Sequence, residues 1–276
     1  MISIIILGAN SYLGANLIAY LSSSYNVVGV SRSKSPGDFS YNTEEELFSI
    51  ISEIKPCLVI NTIGLYENSC NSTSDILESN LLFPVRVLNK CNELKIKNFF
   101  QVGTILDSQL NFYAKSKNSI CEIAPLISHY TNFVYLKPHL FFGPGQKSTS
   151  FFGWLSRKIE NNEPLDLTSG NQKRDFIYIK DLMSAFHLLI RNLELTASLE
   201  SIEIGNGMAV SIKDFVNEVI RVDKQTQGLE VNFGAIPDRV GEPKELASNN
   251  EFLRTLGWKA IFNYKEAIED IYNAQK

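Results

Sequence analysis

The segment FYAKSKN places Tyr113 and Lys117 at positions i and i+4. On a helix that spacing puts both side chains on one face. An ammonium beside a phenol stabilises the phenolate and lowers the phenol pKa. Such a pair suits proton transfer to or from a carbonyl or carbinol oxygen near neutral pH. Upstream, Thr104 closes the segment NFFQVGT and can offer its hydroxyl to the same oxygen, or act as a turn hydroxyl. The spacing alone is cheap, since Tyr272 and Lys276 repeat it at the end of the chain. Position separates the two pairs: Tyr113 follows a strand end, where a parallel sheet opens a ligand crevice.

Positioning these groups requires alternating strands and helices. ISIIIL (2–7) is a continuous apolar run, as expected of a parallel strand buried on both faces. NVVGVS (26–31), CLVINTIG (57–64), NFFQVGT (98–104) and the start of FVYLKPHLFFGPG (133–145) read as further strands. Between them, GANLIAYLSSS, TEEELFSIISEI with its capping Thr43, and a segment near 74–94 carry helical spacing. The alternation predicts an α/β fold, a parallel sheet with helices on both faces. After about residue 145 the pattern changes, with helices in WLSRKIENNEPL, KDLMSAFHLLIRNL, SIKDFVNEVI and KEAIEDIYNA and a strand in DFIYI.

The loop GANSYLG, with Gly8, Ser11 and Gly14, joins the first strand to the first helix. A helix N-terminus there aims its N–H groups at an anion, and a pyrophosphate fits if side chains do not screen the backbone. Ser11 replaces the usual middle glycine of such a loop. Its Cβ crowds the phosphates while its hydroxyl offers a hydrogen bond. At the end of the second strand stands Ser31-Arg32-Ser33. A carboxylate there would accept from a free ribose 2′-hydroxyl and repel a 2′-phosphate, whereas a guanidinium pairs with phosphate. NADP(H) is therefore favoured, with NAD(H) the alternative, and Ser31 and Ser33 are candidate additional donors.

Composition narrows the function classes. The chain has 276 residues, 44% apolar and 20% charged, with net charge −4 and no long basic run. Those values fit a soluble globular protein and argue against nucleic-acid and membrane-surface roles. No apolar run approaches ~20 residues, so no spanning helix is expected. ISIIILG is too short and too uncharged for a signal peptide. Cysteines at 57, 70, 91 and 121 form no CxxC pair, and there are three histidines. No metal site is expected, and scattered thiols suit a reducing cytoplasm.

Gly8 to Gly14, Thr104, Tyr113 and Lys117, in this order, resemble the extended short-chain dehydrogenase/reductase family. The resemblance to its nucleotide-sugar branch continues through NLLFPVRVLNKC with Asn80, LKPHLFFGPG, KRDFIYIKDL, EIGNGMAVSIKDF, FGAIPDRVGEP and LGWKAIFNYKEAIEDI. It is nearest to reductases of NDP-4-keto-6-deoxy sugars. The implied fold is a Rossmann-type doubly wound parallel sheet with a smaller C-terminal α/β substrate lobe. The implied division is 1–145 plus about 171–192 for the NADP-binding domain, and about 146–170 and 193–276 for the sugar-nucleotide lobe.

The resemblance implies that Tyr113 is the acid/base, Lys117 its electrostatic partner and Thr104 the carbonyl-polarising hydroxyl. Cofactor contacts fall to Gly8, Asn10, Ser11, Tyr12, Leu13, Gly14, Ser31, Arg32, Ser33, Thr62, Ile63, Gly64, Pro138 and Leu140, besides Tyr113 and Lys117. Substrate contacts fall to Tyr66, His139, Arg174 and Arg239, the two arginines clamping the diphosphate of a nucleotide-diphosphate sugar. Leu140 and Phe142 stand where the family carries Asn and Tyr. His139 is either the replacement polar contact or a packed histidine. The connection from Thr104 to Tyr113 is short for the family. A homodimer through helices near 75–94 and 113–127 is also implied.

Three reactions share this scaffold. A 4,6-dehydratase of the family carries Asp-Glu after the threonine, and Ile105-Leu106 cannot perform that acid–base work. A 4-epimerase retains NAD, which an acidic strand end would favour. A reductase consumes NADPH, which Arg32 favours. The expectation is a 4-ketoreductase of an NDP-4-keto-6-deoxyhexose in surface-polysaccharide deoxysugar biosynthesis, with an NAD-dependent NDP-hexose 4-epimerase as the alternative.

Overall fold

The computed structural model describes residues 2–33, 39–66, 72–223 and 228–274. Cys70, Lys276 and the turn residues Pro36 and Gly37 lie outside the described residues. In chain order the strands are β1 (Ser3–Leu7), β2 (Asn26–Ser31), β3 (Phe39–Ser40), β4 (Leu58–Asn61), β5 (Asn98–Val102), β6 (Asn132–Pro138), β7 (Leu140–Phe142), β8 (Leu165–Leu167), β9 (Lys173–Tyr178), β10 (Ser201–Ile204), β11 (Ala209–Ser211), β12 (Val231–Phe233) and β13 (Glu245–Leu246). The helices are α1 (Tyr12–Leu21), α2 (Glu44–Ile54), α3 (Thr73–Leu77), α4 (Phe83–Glu93), α5 (Phe112–Asn118), α6 (Ile120–Ile127), α7 (Phe151–Glu160), α8 (Ile179–Arg191), α9 (Leu193–Thr196), α10 (Ile212–Val222), α11 (Glu251–Thr255) and α12 (Tyr264–Asn273).

The main sheet is parallel and seven-stranded, in the order β10-β6-β5-β4-β1-β2-β3. Ile4, Ile5, Ile6 and Leu7 of β1 are wholly buried, as are Leu58, Val59 and Ile60 of β4. Both faces of these strands are covered, which is why their sequences read as unbroken apolar runs. One face packs Leu47 and Ile51 of α2 and Val87 and Leu88 of α4 against Ile5, Leu7, Val59 and Phe99. Each such side chain contributes about 1.5–3 kcal/mol on burial. The strand order reverses between β1 and β4, so the ends of these two strands flank the crevice of a doubly wound sheet.

Two compact units result, residues 1–137 with 187–202, and 138–186 with 203–276. The division differs from the sequence expectation for 138–145 and 171–186, which fall in the second unit, and for 193–202, which falls in the first because β10 pairs with β6 in the main sheet. The reason is strand pairing: β9 joins β7, β11 and β13 in a second sheet rather than the main one. In this second unit Phe142, Phe152, Phe176 and Phe215 form an aromatic core, with Phe176 stacked on Phe215 at 3.8 Å between centroids. The expected helix near 74–94 is interrupted. Between α3 and α4 the turn Glu78–Leu82 widens to π-type hydrogen bonding and carries Asn80. Such wide turns recur at functional sites.

Candidate active site

The site is built from the ends of β1, β2, β4 and β5 together with α5. After β1 the chain turns into α1, a helix of 10 residues. Ser11 caps it: Gly14 N donates to Ser11 Oγ at 2.9 Å, and Ser11 Oγ lies 3.0 Å from Thr62 Oγ1. The serine that replaces a glycine is thus turned inward, toward its own helix and β4. A Cβ at Gly14 would lie 2.3 Å from Gly8 O, so only glycine permits this closure. The loop presents backbone and the positive end of a helix, which fits the pyrophosphate of a dinucleotide. Tyr12 and Leu13 open the helix, and Leu13 packs into the core.

Asn10 ties this loop to the end of β2. Its Nδ2 donates to Ser31 Oγ at 2.9 Å, Ser33 O at 2.7 Å and Ser33 Oγ at 2.8 Å. Ser31 Oγ in turn donates to Ser33 O at 2.6 Å. The Ser31 hydroxyl proton is therefore engaged within the strand end. Arg32 is exposed, and among the described residues its guanidinium has no carboxylate partner. Its charge reaches Tyr41, where it opposes the upward push of burial on that phenol.

Beyond β4, Thr62 Oγ1 donates to Leu7 O at 2.8 Å, and Gly64 is exposed. Asn80 pins the next residue from both sides: its Nδ2 donates to Leu65 O at 2.9 Å, and Leu65 N donates to its Oδ1 at 2.8 Å. Asn80 Nδ2 also donates to Ser116 Oγ at 3.0 Å, and Ser116 Oγ donates to Tyr113 O at 2.8 Å. One buried amide thereby joins the loop after β4 to α5. Tyr66 follows, its ring stacked on that of Tyr113 at 4.3 Å and 19°.

Helix α5 starts at an Asn111 cap, with Ala114 N donating to Asn111 Oδ1 at 2.8 Å. It carries Tyr113, 8% exposed, and Lys117, 2% exposed. Lys117 Nζ donates to Ile63 O at 3.0 Å, and burial lowers its pKa to about 7. The acidified phenol expected from the i, i+4 spacing is not what this environment favours. Burial first, then the charge of Tyr66 and its hydrogen bond, push the Tyr113 phenol well above its ordinary value. The physical reason is desolvation, which disfavours phenolate and ammonium alike.

Thr104 follows Gly103 at the end of β5. Leu106 N donates to Thr104 Oγ1 at 3.2 Å, which leaves the hydroxyl proton to be donated. Its backbone is fixed by residues that sequence reasoning missed. Thr104 N donates to Tyr135 Oη at 3.1 Å, and Tyr135 Oη donates to Asn118 Oδ1 at 2.8 Å. Asn118 Nδ2 donates to Leu106 O at 2.8 Å. The Tyr135 ring fills the space beside Gly103, where a Cβ would lie 1.9 Å from Tyr135 Cζ. The available signals were a tyrosine inside a buried strand and a glycine facing it. Tyr135→Phe strands Thr104 N and Asn118 Oδ1 without this partner and destabilises the protein by about 1–3 kcal/mol, read by denaturant unfolding.

The remaining candidates lie in the second unit or at its start. Pro138 closes β6 and Leu140 opens β7. His139 is buried, its Nε2 lies 3.3 Å from Glu203 Oε2, and its Nδ1 has no partner among the described residues. Arg174 is buried and occupied by Lys173 O, Pro243 O and Glu242 Oε1. It braces the loop that carries Arg239, which is itself exposed. Among the described residues, no helix is long and apolar enough to cross a membrane.

A parallel sheet with a phosphate-type loop at its switch point and a buried tyrosine–lysine pair defines a nucleotide-dependent oxidoreductase-type enzyme. A model described as the NAD dependent epimerase/dehydratase family matches residues 4–205, and the chain belongs to this family of extended short-chain dehydrogenases/reductases. It is 25% identical to a CDP-abequose synthase of Salmonella muenchen, covering 99% of this chain and 98% of that protein. Its fold matches a UDP-glucose 4-epimerase of Thermotoga maritima solved with UDP-glucose, at TM-score 0.83 and 17% identity over 99% of this chain and 98% of that one. It also matches a UDP-glucuronic acid 4-epimerase of Bacillus cereus solved with UDP-glucuronic acid and NAD, at TM-score 0.84 and 20% identity over the same shares, 99% and 98%.

Proposed function

We propose that the chain is an NADPH-dependent 4-ketoreductase of an NDP-4-keto-6-deoxyhexose, serving deoxysugar biosynthesis for a surface polysaccharide. The observation that carries this reading is Arg32, an exposed guanidinium at the end of β2 without a carboxylate partner among the described residues. A 2′-phosphate pairs with such a group, and a reductase must exchange its cofactor at every turnover. The full-length likeness to CDP-abequose synthase supports the substrate class. The apolar Ile105 and Leu106 after Thr104 disfavour dehydration.

In this reading a bound reduced nicotinamide supplies hydride. The Gly8–Gly14 loop and α1 hold the pyrophosphate, and Arg32 holds the 2′-phosphate. Thr104 donates its hydroxyl proton to the substrate carbonyl as a hydrogen bond. Tyr113 gives its Oη proton to the forming alkoxide. Lys117, charged once an anionic ligand offsets its burial, orients the ribose and stabilises the phenolate. Arg239 contacts the sugar-nucleotide diphosphate, and Arg174 reaches it only by exchanging Glu242. A homodimer through the helices near 75–94 and 113–127 belongs to the same reading, with Leu82 and Leu126 exposed at 46% and 72%.

Arg32→Ala tests the cofactor assignment. Losing a charge-assisted contact weakens NADPH binding about 10- to 100-fold and leaves NADH binding nearly unchanged, as read by fluorescence titration. Equal NADPH affinity in the variant removes the argument for the phosphorylated cofactor. The competing reading, an NAD-dependent NDP-hexose 4-epimerase, draws on 32% identity over 109 residues, 39% of this chain and 31% of that protein, to a UDP-glucose 4-epimerase of Halalkalibacterium halodurans. It requires protein that purifies with NAD(H) bound.

A further inference from the structure

Tyr113 is 8% exposed, whereas Tyr66, stacked on it at 4.3 Å, is 55% exposed. The two phenols are hydrogen-bonded to each other. The stack is held in place: Leu65 is bonded through both its N–H and its C=O to Asn80, and Asn80 is bonded through Ser116 to the backbone of Tyr113 itself. Lys117 is 2% exposed and directs its Nζ to Ile63 O.

We propose that Tyr66 is the proton relay that connects the buried Tyr113 hydroxyl to solvent and restores it after each reductive turnover. The proposal rests on the ketoreductase reading for its direction and on the paired phenols for its path. At each turnover the carbonyl carbon receives a hydride with its electron pair, and the carbonyl π pair moves to oxygen. The Tyr113 Oη–H bond breaks and its proton completes the alcohol. Tyr113 is left as phenolate in a site that disfavours it, since burial and Tyr66 together hold that phenol high. The Tyr66 Oη–H bond then breaks toward Tyr113, and Tyr66 takes a proton from solvent acid. The sum is ketone, reduced cofactor and one solvent proton giving alcohol and oxidised cofactor. In the oxidative direction the same path runs outward.

Tyr66→Phe keeps the ring and removes the relay. Rapid mixing of the variant with NADPH and an NDP-4-keto-6-deoxyhexose gives a burst of one NADPH oxidised per site, then a steady rate at least about tenfold below wild type. Imidazole buffer at neutral pH raises that steady rate in the variant and not in wild type. A steady rate within twofold of wild type overturns the proposal. So does a slowed burst without imidazole rescue, which makes Tyr66 a substrate or packing contact. A second readout needs no ligand. With ring-carbon-labelled tyrosine, the NMR titration midpoint of Tyr113 falls in Tyr66→Phe, because Tyr66 raises it in wild type. An unchanged midpoint overturns the coupled pair. Wild-type protein inert toward every keto sugar contradicts the ketoreductase reading instead, and the titration still tests the pair.

Discussion

Tyr113→Phe lowers turnover about 10²–10⁴-fold, the range for a group that transfers a proton in the transition state. The fold and substrate affinity stay close to wild type. The ring of Tyr113 is buried and stacked on Tyr66, and phenylalanine preserves both the volume and the stack. Only the hydroxyl disappears. In the proposed reaction this hydroxyl is the group that gives its proton to the forming alkoxide. Steady-state kinetics with an NDP-4-keto-6-deoxyhexose reads the effect as a fall in kcat at near-constant KM. Retained turnover contradicts the role. The same variant separates Tyr113 from Tyr66: losing Tyr113 suppresses the first turnover, whereas losing Tyr66 suppresses the following ones.

Lys117→Met abolishes most of the activity and stabilises the ligand-free protein at neutral and acid pH. Burial lowers the Lys117 pKa from 10.5 to about 7. Between those values the unfolded chain binds a proton that the folded chain does not. Stability therefore rises with pH across this window. Below about 7 both states are protonated, and the folded protein carries the full penalty of a desolvated ammonium. Above 10.5 both are neutral and the penalty is absent. Denaturant unfolding at pH 6 and pH 9 checks this. The advantage of Lys117→Met over wild type is larger at pH 6, and a pH-independent difference contradicts it. Calorimetry in buffers of different ionisation enthalpy adds a second sign: NADPH binding near pH 7.5 takes up a proton in wild type and none in the variant. The lysine is thus an element of the site held at a cost in stability, as expected where function requires a buried charge.

Much of the frame was legible because local signals carried it. β1 and β4 announced themselves as unbroken apolar runs, and the glycine loop could be placed only because it follows β1. Tyr113 and Lys117 were legible through helical spacing, and Thr104 through its strand end. What stayed hidden depends on partners far apart in the chain. Ser31 and Ser33 read as donors for a cofactor, yet Asn10 engages both from another loop. Arg174 read as a diphosphate clamp, yet Glu242 and two carbonyls occupy it. The spacing of Tyr113 and Lys117 suggested an acidified phenol, and desolvation reversed the direction. The Tyr135–Asn118 support of Thr104 joins β6 to α5, and no periodicity reports such a pairing. Strand β9 was readable as a strand, but its partners β7, β11 and β13 were not.

The central claim is a net reduction, in which cofactor is consumed in proportion to product. The most direct measurement mixes purified protein with NADPH and each of a panel of NDP-4-keto-6-deoxyhexoses and follows the nicotinamide absorbance together with product formation. The account predicts that at least one member is reduced to the 4-hydroxy sugar with one NADPH oxidised per molecule. Interconversion of NDP-hexose 4-epimers by protein that retains NAD(H), with no added cofactor consumed, contradicts it.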